Sequence, residues 1–316
     1  FTSTFVFIGA VVYFILAPKG REDPATLSGD EPVESLADEV RDFAAEFRDD
    51  VVAAAAGTGL GAAVLAARGC LRAGAGLLTV HAPACGNIVL QTAVPEAMFS
   101  ADRRAKFWSE APDLDAFSAV GVGCGIGQND ATVAALEQLL SAAYHAHASR
   151  EWSAWGLVLD ADALNLLAQN PGWWKLVPPE TILTPHPKEF ERLFGQTADD
   201  FERNELQRSK AQEHGVFIVL KGAHTAIACP DGSCWFNSSG NPGMATGGSG
   251  DVLTGILTGL LAQGFAPGDA ALLGVYLHGL AGDLAAAEMG QPGLSAGDLS
   301  TFLGKAWLQL SGGPEF

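Results

Sequence analysis

Basic residues are scarce in this chain, with 18 Lys and Arg against 36 Asp and Glu and a formal net charge of −18 at pH 7. A surface this acidic repels the phosphates of DNA and RNA, so we expect no nucleic acid among its partners. A small anionic ligand is still compatible, because a helix N-terminus binds phosphate locally whatever the global charge. The charged fraction is only 17% and the apolar fraction is 48%, which excludes a disordered chain and predicts a large buried core.

Two common sequence signals are missing as well. The five cysteines contain no Cys-x-x-Cys pair, and no His or further Cys stands at zinc-ligand spacing beside Cys229 and Cys234. We interpret all five as reduced core or near-core thiols of a cytoplasmic protein. No Walker A sequence, GxxxxGK[ST], occurs in the chain, which excludes the mechanism of P-loop NTPases.

The chain begins with an apolar run, residues 5–17, that is shorter than the roughly 20 residues of a membrane span. We expect a buried strand or an oligomer contact here, with a membrane or targeting role as the less favoured alternative. If the run did span a membrane, Lys19 and Arg21 behind it would keep the rest of the chain in the cytoplasm. Residues 22–50 are rich in Asp and Glu, and apolar residues at helical spacing predict a solvated amphipathic helix. Residues 1–50 are therefore interpreted as an N-terminal extension of unknown role.

From about residue 51, short apolar strands alternate with helices. Strands are predicted at 51–56, 76–83, 116–123 and 216–222, and a hairpin turning at Asp231-Gly232 follows the last of them. Helices are predicted at 61–74, 129–146, 252–264 and 271–288, and strand-to-helix units at 156–169 and 181–194. This alternation predicts an α/β domain over residues 51–316, with a mostly parallel sheet covered by helices on both faces. Ligands of such folds bind outside the carboxyl ends of the strands.

The strongest functional signal is the glycine-rich segment 237–255, NSSGNPGMATGGSGDVLTG, which leads directly into an apolar helix. Backbone N–H groups of such a loop can converge on an anion, and the helix dipole adds partial positive charge. Asp251 lies at the helix start, where a bound phosphate would repel it unless it activates a hydroxyl for attack on the terminal phosphate. We interpret Asp251 as the catalytic base of an enzyme that handles a nucleotide phosphate. The alternative is a simple helix cap.

Two segments at strand ends could contact the ligand. Lys221 opens KGAHT at 221–225, where it either meets a nucleotide phosphate or is a solvated strand end. The segment GVGCGIG at 121–127 has GxGxxG-like spacing after a strand, which indicates either a tight turn or close backbone approach to a ligand.

Two strand-to-helix junctions also carry polar side chains. His186 and Glu189 lie in TPHPKE, where His186 is either a pocket residue or a structural histidine. Asp160 and Asp162 end a strand in DADALN, and the pattern favours Asp162 as a helix N-cap over a metal ligand.

Together these motifs resemble the ADP/ATP-dependent NAD(P)H-hydrate dehydratase family of the ribokinase-like superfamily. The match covers about residues 57–313 and keeps the family's motif order, ending in VLKGAHT and NPGMATGGSGDVLTG. The resemblance implies a ribokinase-like three-layer α/β fold. The chain departs from the family in segment 44–60, where Lys-Gly is missing and Ala55-Ala56 stand in place of Gly-Ser. It also carries Cys124 where the family usually has Pro.

The resemblance also implies an activity. ADP or ATP, with Mg²⁺, would donate its terminal phosphate to the ring hydroxyl of hydrated NADH or NADPH, and loss of that phosphate would restore the double bond. Family members are often tetrameric, which implies a homo-oligomer. Carried over residue by residue, Asp251 would be the base and contact the hydrated nicotinamide. Nucleotide binding would fall to Lys221, Gly222, Ala223, His224, Thr225, Gly248 and Gly250. Ala62, Gly125 and His186 would line the coenzyme pocket. The metal ligands are unknown from the sequence, with Glu189 a candidate near the Mg²⁺-phosphate.

Two rival functions remain open from the sequence. One is a ribokinase-like kinase that phosphorylates a small alcohol or vitamin precursor and releases a stable phosphoester. The other is a degenerate homologue that binds nucleotide without turnover. The altered segment 44–60 favours the degenerate homologue, and the intact loop 237–255 opposes it.

Overall fold

The computed structural model describes residues 50–54, 59–149 and 156–311. One compact unit spans Asp49–Trp307; of a second unit, Phe1–Arg48 with Leu308–Phe316, only 308–311 is described. The predictions for the apolar run 5–17, the acidic helix before residue 50 and Ala55-Ala56 lie outside the described residues.

The strands of the described residues form one sheet in the order β3-β2-β1-β4-β5-β6-β7-β8-β9. Every pair from β3 to β7 is parallel, whereas β7, β8 and β9 pair antiparallel. The strands are β1 Asp50–Ala54, β2 Leu77–Pro83, β3 Met98–Asp102, β4 Phe117–Val122, β5 Gly156–Leu159, β6 Ile182–Leu183, β7 Phe217–Leu220, β8 Ala226–Ala228 and β9 Cys234–Phe236.

Helices connect the strands and cover both faces of the sheet. The α-helices are α1 Leu60–Ala73, α2 Asn87–Ala93, α3 Asp130–Ser149, α4 Ala161–Gln169, α5 Pro187–Phe194, α6 Asp200–His214, α7 Ser249–Ala262, α8 Pro267–Met289 and α9 Ala296–Leu310. One apolar cluster joins a sheet face to α1, α2, α7, α8 and α9, and a second joins the other face to α3, α4, α5 and α6. The predicted three-layer α/β fold is confirmed.

Helices α1 and α7 approach each other backbone to backbone. A Cβ atom on Gly259 would lie 2.7 Å from the carbonyl oxygen of Cys70, and one on Gly255 would overlap the carbonyl oxygen of Ala66. Only glycine fits at these two positions, so α7 is fixed firmly against α1.

Helix α8 is long and apolar enough to cross a membrane by length and composition, but 56% of its most apolar window is buried inside the protein. Its buried residues belong to the apolar cluster that also contains α7 and α9. This is the pattern of a core helix in a large α/β domain.

Candidate active site

The site lies at the carboxyl end of the parallel strands. Strand β1 pairs with β2 on one side and β4 on the other, so the direction of strand succession reverses between β1 and β4. Beside this reversal, Gly59 and Gly125 pack so closely that a Cβ on Gly125, at φ +68°, would lie 2.7 Å from the Gly59 Cα. Such a reversal is where ligands of open α/β sheets bind.

A partly buried ion pair joins the ends of β5 and β7. Lys221 Nζ donates to Asp160 Oδ1 at 2.7 Å and lies 3.9 Å from Glu189 Oε2. The other oxygen of Asp160 accepts from Thr254 Oγ1 at 2.8 Å. Burial alone would lower the pKa of Lys221, but the two carboxylates outweigh it and raise the pKa, so the ammonium stays charged.

Asp251 occupies the first turn of α7, partly buried beside this ion pair. Burial raises its pKa to about 6 and Asp160 adds to the rise, whereas a hydrogen bond from Cys124 and the charge of Lys221 oppose it. Its carboxylate, that of Asp160 and the thiol of Cys124 lie within 4.8 Å of one another. A carboxylate with this pKa is charged at neutral pH yet accepts a proton readily, which suits a general base.

The glycine-rich loop places the Asp251 carboxylate. Gly248 precedes α7 in the left-handed conformation, with φ +96°. Ser249 Oγ donates to the Met244 carbonyl at 2.7 Å, which closes the loop over the helix start. A Cβ on Gly250 would lie 3.2 Å from Lys221 Nζ, so the absence of a side chain leaves the helix N-terminus open beside the lysine.

Helix α8 anchors the other side of the loop. Asp283 accepts from the Gly240 amide at 2.8 Å and from Asn241 Nδ2 at 2.9 Å. His278 Nε2 lies 3.0 Å from the Ser249 carbonyl, and burial lowers the pKa of His278 to about 4, so the ring is neutral and donates this bond. Neither His278 nor Asp283 was identified from the sequence as part of the site. The sequence feature that could have pointed to them is the presence of polar residues in the otherwise apolar helix α8.

A cavity of about 840 Å³ opens beside the loop. Six of the seven predicted nucleotide residues line it together with His186, namely Lys221, Gly222, Ala223, His224, Thr225 and Gly250, whereas Gly248 is not part of the lining. Leu253 and Val275 supply apolar wall. Ala62 and Gly125 lie apart from this lining, where the amide of Ala62 donates to the Gly59 carbonyl at 3.0 Å beside the strand-order reversal. The structure therefore separates the residues predicted for nucleotide from two of those predicted for coenzyme.

His186 lines the cavity and also caps α5. Its Nδ1 accepts from the amides of Lys188 and Glu189 at 3.1 and 3.3 Å, and Glu189 Oε2 accepts from the His186 amide at 2.8 Å. The imidazole is still 44% exposed, so capping leaves it accessible to a ligand. Glu189 is occupied by the cap and by Lys221, which leaves it little capacity to bind a metal.

Two sequence interpretations require correction. Asp162 is not the N-cap of α4, because Asp160 holds that position and Asp162 accepts from the Gly127 amide and Gln128 Nε2, both at 2.9 Å. The helix begins at Ala161, whose φ of 46° is left-handed, one residue before Asp162. All five thiols are free, but Cys85 is exposed rather than in or near the core.

These features define the class of a ribokinase-like nucleotide-binding protein. They are the sheet order, the two helical layers and a glycine-rich loop that places a carboxylate at a helix start. A crystal structure titled a ribokinase-like superfamily protein from Enterococcus faecalis superposes with a TM-score of 0.67 at 29% identity, covering 83% of this chain and 87% of that one. Residues 52–305 match the NAD(P)H-hydrate dehydratase family, and the chain belongs to that family.

Named relatives agree with this assignment. The chain is 42% identical over 253 residues to the bifunctional NAD(P)H-hydrate repair enzyme Nnr of Moorella thermoacetica, covering 77% of this chain and 46% of that protein. It is 34% identical over 254 residues to the ADP-dependent (S)-NAD(P)H-hydrate dehydratase of Bacillus subtilis, covering 78% and 84%. A crystal structure of the B. subtilis ADP/ATP-dependent enzyme, co-crystallised with ATP/Mg²⁺, gives a TM-score of 0.67 at 30% identity, covering 83% and 89%. The chain spans about half the length of the bifunctional relatives it matches.

Proposed function

We propose that this chain dehydrates hydrated NADH or NADPH at the expense of ADP or ATP. The observation that carries the proposal is Asp251, a partly buried carboxylate with a raised pKa, at the start of α7 and beside a cavity lined by Lys221 and Gly250. Relatives named for this reaction share the domain over most of the chain. Two proposed ligand regions, the cavity for nucleotide and the turn at Gly125 for coenzyme, would meet near Asp251.

The proposed reaction has two steps. Asp251 accepts the proton of the ring hydroxyl, and the hydroxyl oxygen attacks the terminal phosphorus of the nucleotide, which leaves one phosphate shorter. The phosphate on the ring carbon then departs with its bonding electron pair while the ring nitrogen supplies electrons. Loss of a proton from the neighbouring carbon restores the double bond. Lys221 and the amides at the start of α7 would stabilise the charge that develops on the transferred phosphoryl group.

The proposal includes Mg²⁺ delivered with the nucleotide. Asp160 is occupied by Lys221 and Thr254, and Glu189 by Lys221 and the α5 cap, so neither offers a free oxygen pair. Mg²⁺ is usually held largely by substrate phosphates and water rather than by a protein cage. Among the described residues the site therefore fits a nucleotide-borne ion better than a resident one.

The proposal extends to location and assembly. We infer a cytoplasmic enzyme, for which all five thiols being free is the supporting observation. We also infer a homo-oligomer, a tetramer by analogy with the family. Size-exclusion chromatography with light scattering tests the assembly, and a monomer at micromolar concentration would contradict it.

Incubation of the full chain with hydrated NADH, Mg²⁺ and either ADP or ATP tests the function. We expect NADH absorbance and inorganic phosphate to rise in equal amounts, with phosphorus NMR following the phosphate. A persistent phosphoester signal without NADH would replace the dehydratase with a kinase. Nucleotide binding with no consumption of either substrate would identify a non-catalytic homologue.

A further inference from the structure

A second cavity, of about 520 Å³, is formed by α1, α9 and the segment that follows α2. Arg68 and Arg72, one turn apart on α1, line this arginine cavity together with Ser300 and Thr301 of α9. Its volume lies within the range of roughly 300–1,000 Å³ that is usual for small-molecule pockets. Within the part of the chain that the structure describes, its lining shares no residue with the cavity beside the glycine-rich loop, so the two are separate.

Both arginines have hydrogen-bond donors available for a ligand. Arg68 Nη2 donates to the Ala93 carbonyl at 3.1 Å, which fixes this guanidinium at the end of α2 and uses one of its five N–H groups. Neither Arg68 nor Arg72 forms an ion pair with a carboxylate of the described residues, whereas Arg203 Nη2 lies 2.8 Å from Asp200. Two guanidinium charges therefore line one cavity without a described carboxylate in contact with either.

The charges of the lining favour a phosphate group. Glu96 is the one acidic residue in the described lining, so two positive charges face one negative charge in a chain of net charge −18. A guanidinium binds two oxygens of an anion with parallel N–H groups, so one arginine is enough for a carboxylate. A terminal phosphate has a third oxygen for a second arginine. It would also fill only part of the cavity, which leaves room for the rest of a phosphate ester.

Helix α9 supplies acceptors to the same cavity. Ser300 Oγ and Thr301 Oγ1 donate to the Gly297 carbonyl at 2.8 and 3.1 Å, so their oxygens remain able to accept from a ligand. The Glu96 carboxylate is an acceptor as well. Donors on α1 and acceptors elsewhere suit a ligand with a phosphate group and hydroxyl groups, which is the chemistry of a sugar phosphate.

The helices that line the arginine cavity also support the glycine-rich loop. A Cβ on Gly248 would lie 3.1 Å from the Cβ of Ala296, the first residue of α9, and would overlap the Leu65 side chain of α1. A ligand that contacts both helices would therefore fix the two surfaces on which Gly248 rests.

We propose that the arginine cavity is an effector site, in which Arg68 and Arg72 bind the phosphate group of a sugar phosphate. The bound ester joins α1 to α9 and thereby strengthens nucleotide binding at the loop. Binding of the ester is measured without nucleotide or coenzyme and is independent of the proposed function. The effect on the loop rests on that function only in treating the loop as the nucleotide site.

Thermal unfolding of the full chain, at constant ionic strength, measures the binding of ribose 5-phosphate and of inorganic phosphate. The test compares the wild type with the double variant Arg68→Gln/Arg72→Gln. We expect the double variant to bind ribose 5-phosphate about tenfold more weakly, since charge-assisted hydrogen bonds are lost. Any phosphate bound beside Lys221 is common to both proteins, so their difference reports the arginine cavity. The wild type should bind the ester more tightly than inorganic phosphate, and the reverse order would overturn the assignment to a sugar phosphate.

The matched control is Arg103→Gln/Arg104→Gln, which removes the same charge at two exposed arginines outside the lining and should bind the ester as the wild type does. Equal ester affinity in the wild type and in Arg68→Gln/Arg72→Gln would overturn the site. An equal loss in the control would overturn it too, by showing that net charge rather than the cavity is responsible. If the double variant fails to fold, Arg72→Gln alone decides.

Calorimetry with ADP tests the effect on the loop. Saturating ribose 5-phosphate should tighten ADP binding about fivefold in the wild type relative to its effect in Arg68→Gln/Arg72→Gln. The same response in both proteins would overturn the effector role. If the wild type makes no NADH but loses ester binding only through the two arginines, the proposed function fails and the anion site stands.

Discussion

Two carboxylates in this protein, the buried Asp102 and the partly buried Asp251, have opposite electrostatic environments. Asp102, at the end of edge strand β3, accepts from the Arg104 and Ser109 amides at 2.6 Å each, from Ser109 Oγ at 2.7 Å and from the Glu110 amide at 3.2 Å. Burial alone would raise the pKa of Asp102, but these bonds outweigh it and lower the pKa. Burial dominates at Asp251 instead and raises the pKa to about 6.

The difference separates a structural acid, Asp102, from the proposed catalytic base, Asp251. Asp102 holds its loop in place and stays charged, with His81 Nε2 only 3.7 Å away. Asp251 has few hydrogen-bond donors around it and lies at the N-terminal end of α7, so its carboxylate can still take up a proton. Burial by itself therefore does not identify a catalytic carboxylate; the supply of hydrogen-bond donors does.

The largest expected effect is on turnover. Asp251→Asn should lower kcat on the order of 10²–10⁴-fold, because the amide keeps the shape but accepts no proton. Nucleotide affinity, measured by calorimetry, should be retained. Asp269→Asn is the control, since Asp269 is an exposed acid in the first turn of α8. Near wild-type turnover in Asp251→Asn would reduce Asp251 to a helix cap.

The structural acid should show the reverse pattern. Asp102→Asn replaces one acceptor oxygen by a donor that faces backbone N–H groups, so we expect a loss of about 2–4 kcal/mol in the free energy of unfolding. The kcat of the folded fraction should be unchanged. Urea unfolding measures the stability, with Glu137→Gln on the exposed face of α3 as the control. A kcat loss without a stability loss would contradict the comparison.

Asp251→Asn should also stabilise the protein at neutral pH. A pKa raised from 3.8 to about 6 means that the folded state favours the protonated acid. Asp251 contributes fully to the free energy of unfolding below pH 4, where it is protonated in both states, and this contribution is lost as the pH rises through about 6. Above that range the Asn variant should be more stable by about 2 kcal/mol, discounted for partial exposure, and the difference should vanish near pH 4. Thermal unfolding at several pH values checks this, and a variant less stable at pH 8 would contradict it.

The smallest effect concerns the loop that places Asp251. Gly248→Ala should cost about 1 kcal/mol more stability than Gly247→Ala, because a Cβ at φ +96° is strained and would overlap Leu65. Gly247 is the matched control, since a Cβ there meets nothing within 4 Å. Gly248→Ala should also weaken nucleotide binding, which calorimetry measures. Equal behaviour of the two variants would show that the conformation at Gly248 is not required.

The fold could be predicted from the sequence wherever strands are continuously apolar. The strands at 156–159 and 217–220 are almost wholly buried and were identified, as was the β8–β9 hairpin. Edge strand β3 was missed, because its burial pattern follows no regular alternation. Helix α6 was missed because it buries only Gln207 and Ala211 and so has no apolar stripe.

The site could be predicted only in part. The glycine-rich segment predicted Asp251 and Gly250 as site residues because its spacing is local. The Lys221–Asp160 pair joins residues 61 positions apart, and only the order of strands in the sheet brings them together. The Asp283 bonds to the loop depend likewise on how α8 packs, which no local pattern specifies.

The glycine contacts between α1 and α7 have a mechanical consequence. At Gly255 and Gly259 no layer of side chains separates the two backbones, so there is nothing that could rearrange to let one helix slide along the other. A displacement of Asp251 at the start of α7 must therefore carry α1 with it, including Ala62 in its first turn. Asp251 and the helix that begins beside the strand-order reversal therefore move as one body.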